Sequence, residues 1–130
     1  MNIKAFFVSF LLLTSLLCVL SCHKTSDEAT QLMIEKPLGD DNFSGGDTIK
    51  IKGGATNVAG LHTLTIKITD DKTNEVLFTT SPNVLNLNSY NFSIIWKAKV
   101  SDWTDATVTV VAEDHAKVQT TKTVKIKIWL

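Results

Sequence analysis

The chain is 130 residues long, with 13 lysines and arginines against 13 acids, and 44% of its residues are hydrophobic. That length accommodates one domain and excludes a string of them. The balanced charge excludes the concentrated basic stripe that general nucleic-acid binding requires, and two cysteines exclude a disulfide-rich scaffold.

The N-terminus begins with Met1-Asn-Ile-Lys4, a short segment with one positive charge, and continues as an uncharged apolar run from Ala5 to Leu20. A membrane-spanning helix needs roughly 20 apolar residues to cross about 30 Å of hydrocarbon, and this run is shorter. It matches the hydrophobic region of a secretory signal, which is removed and takes no part in the fold. The polar segment Cys22-His-Lys-Thr-Ser-Asp-Glu28 follows at once and holds too little apolar surface to fold.

The junction Val19-Leu20-Ser21-Cys22 resembles a bacterial lipobox. The resemblance implies a diacylglycerol on the thiol of Cys22, cleavage just before it and acylation of the new amine. Two or three acyl chains give stable attachment where one gives only marginal binding. Residues 1–21 are then the signal, 22–30 a flexible tether and 31–130 the domain. An ordinary secretory cleavage also fits Val19 and Ser21, and replacement of Cys22 separates the two readings. His23 stands where an Asp commonly retains lipoproteins at the inner membrane, which favours the outer membrane. Cys18 leaves with the signal, so a mature chain acylated at Cys22 has no disulfide and its core must hold it alone.

From residue 31 the apolar period is two. Leu32 to Glu35, stopped by Pro37, suits an edge strand A. The stretch Gly39 to Gly46 is rich in turn residues and reads as a loop. Strand B, Thr48 to Lys52, turns Ile49 and Ile51 one way and two lysines the other. Strand C, Leu61 to Thr69, buries Leu64, Ile66 and Ile68. Glu75 to Thr80 suits a C′ or D strand, and strand E alternates Tyr90, Phe92, Ile94 and Trp96 against Asn91, Ser93 and Ile95. Strand F buries Ala106, Val108, Val110 and Ala112. Strand G, Thr121 to Leu130, buries Val124, Ile126, Ile128 and Leu130. Such alternation marks half-buried strands. Short strands punctuated by turn residues predict an all-β, immunoglobulin-like antiparallel sandwich of about seven strands.

The segment from Gly53 to Ile68 resembles the B–C corner of bacterial immunoglobulin-like and cadherin-like modules, and Val108 to Ala116 resembles their F–G corner. With the lipobox and Ser93-Ile-Ile-Trp96, the chain is similar to the small bacterial lipoproteins of domain-of-unknown-function family 4625. The similarity spans about residues 31–130 and implies the fold but no established activity. One departure is that Lys117-Val118 stand where related modules often carry Gly-Asn.

Alternating strands place the N-terminal side, the 56–60 loop, the 81–88 segment and the 114–119 loop at one pole. The other pole gathers loops 37–46, 70–74 and 98–105, with Asp40, Asp41, Asp47, Asp70, Asp71, Asp102 and Asp105. Ca²⁺ takes 6–8 oxygen ligands, so Asp40, Asp41, Asp70, Asp71, Asp102 and Asp105 are candidate ligands, while Asp at such positions also simply makes turns. His62 and His115, with Glu113 and Asp114, are a weaker zinc candidate. The outward C-F-G face carries Lys67, Lys125, Lys127 and Trp129 among threonines, a candidate surface for a protein or glycan. Threonine and lysine are also ordinary strand and edge-guarding residues. Trp103 is expected to plug the bottom of the core, with sugar binding as its alternative.

No Gly-x-Ser-x-Gly elbow, free mature cysteine or paired carboxylates in a cleft point to an enzyme. The expectation is a lipid-anchored, non-enzymatic binding or accessory module of the cell envelope. The alternatives are a purely structural envelope or surface-complex subunit and a calcium-dependent adhesion-like module.

Overall fold

The computed structural model describes residues 29–130; the signal, Cys22 and the start of the tether lie outside them. β-Branched residues alternating with polar ones form eight strands, β1 (Gln31–Lys36), β2 (Asp41–Ser44), β3 (Thr48–Thr56), β4 (Leu61–Asp70), β5 (Val76–Thr80), β6 (Ser89–Lys97), β7 (Thr104–Asp114) and β8 (Gln119–Trp129). They make two sheets, β1-β3-β6 and β2-β8-β7-β4-β5. All pairings are antiparallel except β2 with β8. The architecture is an immunoglobulin-like β-sandwich.

The inward rows are those the period of two selects. Ile49 and Ile51 of β3, Leu64, Ile66 and Ile68 of β4, Phe92 of β6, Val108 and Val110 of β7, and Ile126 and Ile128 of β8 are buried between the sheets. Each fully buried large side chain contributes roughly 1.5–3 kcal/mol.

Several strand bounds differ from expectation. The stretch Gly39 to Gly46 is not wholly loop, because Asp41–Ser44 pairs with Ile126–Trp129 of β8. β8 offers an unpaired edge there, and Phe43 packs half-buried against the core, so backbone bonds across the edge override polar local chemistry. Strand β3 runs on through Gly53 and Gly54 to Thr56 instead of stopping at Lys52. Gly53 serves a close approach: a Cβ there would stand 2.6 Å from Phe92 Cζ and 2.1 Å from the Met33 carbonyl oxygen. Strand β7 likewise extends beyond its alternating stretch, to Thr104–Asp114, while β8 begins earlier, at Gln119, and ends at Trp129, so that Leu130, expected to be buried, has no partner strand to cover it and is 76% exposed.

The poles are as strand counting expects. The chain enters β1 at Gln31 opposite Thr56, and Asn57 Nδ2 donates to Thr30 Oγ1 at 2.9 Å in a buried bond. This end, with the 56–60, 81–88 and 114–119 connections, is called proximal. At the distal end, Ala98 N donates to the Asp47 carbonyl, Gly45 N to that of Trp129 and Asp71 N to that of Asp105.

Candidate functional site

The ladder between β7 and β8 ends with Thr104 opposite Ile128. Both of these point inward and are buried, so the next residues out, Trp103 and Trp129, point outward and face one another. Their rings stack with centroids 5.3 Å apart and planes 9° from parallel. Trp129 Nε1–H donates to Oδ1 of Asn42 on β2 (3.1 Å), while the Trp103 amide donates to its neighbour Asp102 (2.7 Å). The two residues stay 53% and 46% exposed. Trp103 therefore does not plug the core, contrary to expectation. Trp96, Ala98 and the half-buried Val100 occupy that end of it.

Below the pair, β8 turns Lys127 and Lys125 outward opposite Asp105 and Thr107 of β7. Asp71 binds this row, with Oδ2 on Lys125 Nζ (2.6 Å) and Oδ1 accepting from Thr107 Oγ1 (2.5 Å). Lys67 lies two strands from β8, opposite Thr109 and hence in the row of Thr123. The fold thus brings Trp103, Trp129, Lys125 and Lys127 together and leaves Lys67 apart.

Asp70, Asp71, Asp102 and Asp105, with Lys72, Trp103 and Thr104, line an open cleft of about 360 Å³ beside the tryptophans. Asp70 Oδ1 accepts the amides of Lys72 (2.7 Å) and Thr73 (2.9 Å). The Thr73 amide above all, helped by that of Lys72, holds the carboxyl below its ordinary 3.8 in spite of an opposing desolvation. Asp41 accepts from the Leu38 amide and Asp47 from that of Ser44, and Asp40 takes a left-handed backbone (φ 63°). Most of these aspartates thus serve their own turns. Among the described residues no group of three or more His, Cys, Asp or Glu is placed to hold a metal ion.

At the proximal end the rings of His62 and His115 meet at 5.3 Å and 60°, and Nδ1 of His62 is buried without a hydrogen-bond partner in the protein. The neighbouring carboxylates turn to their own hairpin. Glu113 accepts from Gln119 Nε2 (2.9 Å) and Lys117 Nζ (3.1 Å), bonds that lower its carboxyl below the ordinary 4.5. Asp114 accepts the Val118 amide. Lys117 adopts the left-handed conformation (φ 64°) without glycine, and its amide donates to the Asp114 carbonyl to close the hairpin.

Sequence reading missed Asn42 as the residue that holds the Trp129 indole. The signal for the Trp pair itself was present: Trp103 and Trp129 both fall on the outward phase of their strands' alternation, once β7 is allowed to begin at Thr104.

Among solved structures, the fold is similar to the fibronectin(III)-like modules of Clostridium thermocellum CbhA. The TM-score is 0.50 at 9% identity, covering 76% of this chain and 96% of that one. At that identity the likeness concerns the fold alone, an immunoglobulin-like sandwich. No family model matches the chain. No curated protein matches it either.

Proposed function

We propose that this is a lipid-anchored cell-envelope protein whose sandwich is a non-enzymatic binding module, held by acylated Cys22 at one end and meeting a protein or glycan partner at the other. The stacked, exposed Trp103–Trp129 pair carries the reading. Tryptophan is enriched among the residues that dominate binding energy, and two indoles held rigid by stacking and by Asn42 lose little freedom on contact. The adjoining cleft and Lys125, Lys127 and Asp105 supply the polar groups that fix a partner's orientation. A purely structural subunit has no use for two indoles in water at its far end. The lipobox motif supports the anchor, and His23 supports the outer membrane.

Crosslinking in cells tests the module. A partner captured by the native protein should be lost from the Trp103→Ala/Trp129→Ala double variant and kept by Lys50→Ala on the opposite sheet; equal recovery from all three rejects the site. For the anchor, Cys22→Ser should move the protein from the membrane to the soluble fraction.

A further inference from the structure

The three proximal connections form one cap. Asn88 Nδ2 donates to the carbonyls of Asn57 (3.2 Å) and Val58 (2.7 Å). Leu61 N bonds the Leu87 carbonyl, and Asn86 N bonds that of Leu61. Gly60, at a positive φ of 94°, makes the turn that sits beside the His115 ring and Asn86. From this cap four apolar side chains project into water: Val58 (70% exposed), Leu85 (51%), Val118 (50%) and Leu87 (41%). The 56–60 and 81–88 segments contain no charged residue. In the third connection, Asp114 is buried on the Val118 amide and Lys117 is paired with Glu113.

We infer that this cap rests on the lipid surface itself, with Val58, Leu85, Leu87 and Val118 inserted at the headgroup–acyl boundary, so that the domain stands on the membrane and does not swing freely from its tether. The inference rests on the acylation of Cys22 proposed above and deepens it. Three observations select lipid as the occupant. The described chain begins at this pole, beside Asn57. The residues between Cys22 and Gln31 reach at most about 30 Å when extended, so the acyl chains hold the cap close to the bilayer. A link of that length also keeps the effective concentration of the surface high, and contacts too weak to bind from solution become occupied. Finally, the cap presents little charge to be stripped of water, and a flexible stem lets Lys117 reach back toward headgroups. Interfacially seated apolar groups lie roughly 5–10 Å deep, a depth that loop tips can reach while the strands stay in water.

The test uses the mature lipoprotein reconstituted into phosphatidylethanolamine–phosphatidylglycerol vesicles. A polarity-sensitive fluorophore is attached to a single thiol introduced by Val58→Cys, by Leu85→Cys or, as the distal control, by Ser101→Cys. All three positions are exposed, so folding is not at stake, and mass spectrometry reads the acylation of Cys22 in each preparation. The inference expects blue-shifted emission at positions 58 and 85 that is strongly quenched by nitroxide-bearing lipids, with neither effect at 101. Acylated protein whose labels at 58 and 85 behave like the label at 101 overturns the inference and leaves the anchor standing. An unacylated Cys22 removes both. Blue-shifted labels in the Cys22→Ser protein without vesicles identify a second copy of the chain as the occupant and overturn it as well.

Discussion

At the distal end of the sandwich the loops and strand ends carry seven aspartates, and at the proximal end the 56–60 and 81–88 segments carry no charge at all. Both ends solve the same folding problem, a tight reversal between strands, and with the same device. Distally the side chains of Asp41, Asp47 and Asp70 accept backbone amides within their turns. Proximally Asn57 and Asn83 do so, toward Ala59 and Leu85. Asn and Asp are close equivalents for such bonds, and Asp114 makes one in the proximal 114–119 turn, so turn geometry alone does not demand asparagine in the 56–60 and 81–88 segments. On the reading proposed above, the difference in charge reflects what each end is built to meet: water and a partner distally, a lipid surface proximally.

The largest expected effect is one that should erase the contrast. Gly53→Ala places a Cβ against Phe92 and the Met33 carbonyl, and overpacking of this kind costs about 3 kcal/mol. Because the sheets are shared, denaturant midpoints reported by probes at both poles should fall together. A loss confined to one pole breaks the picture of a single cooperative sandwich. Asn57→Ala acts at the proximal end alone. It removes the buried bond to Thr30 and the one to the Ala59 amide, for an expected cost of about 2 kcal/mol. Hydrogen exchange should quicken in the first residues of β1 and stay unchanged at Thr104.

The distal counterpart is the Trp103→Ala/Trp129→Ala double-mutant cycle. Stacked aromatic pairs couple by about 0.5–1.5 kcal/mol, a few degrees in Tm at this size. Additive single variants would mean the stack contributes nothing beyond its area. Acid sharpens the comparison last, since each end holds one depressed carboxyl, Asp70 distally and Glu113 proximally. A group whose folded pKa lies below its unfolded value stabilises the fold above the unfolded value and loses that contribution as pH falls through the folded one. Stability should therefore hold above the ordinary values of 3.8 and 4.5 and decline below them. In a thermal series on Asp70→Asn and Glu113→Gln, each variant should flatten that decline; an unchanged slope in both refutes the assignment.

Much of the fold is legible because side-chain direction in a strand has a period of two whatever the strand meets. Ile49, Leu64, Phe92, Val108 and Ile126 declare their inward phase locally, and counting strands up and down then places every loop at a pole. Trp103 shows where such reading stops. Its parity marks it as outward, but a bulky apolar residue among Ser101, Asp102 and Thr104 looks like a plug for the core, and only the extent of β7 decides the matter. The candidate site was half visible for the same reason: Lys125, Lys127 and Trp129 share a phase on one strand, while Asn42 and Asp71 reach them from distant stretches of chain.

Most inward-facing residues, the loops that share an end and the acidic end are all readable along the chain, because period and composition are written locally. That Asp41–Ser44 is a strand, that Gly53 makes room for Phe92 and that Trp103 stacks on Trp129 emerges from the folded chain alone. Each depends on an edge, a register or a close approach supplied by residues far away in the chain, 87 positions in the case of Asn42 and Trp129. No local pattern encodes what lies across from it.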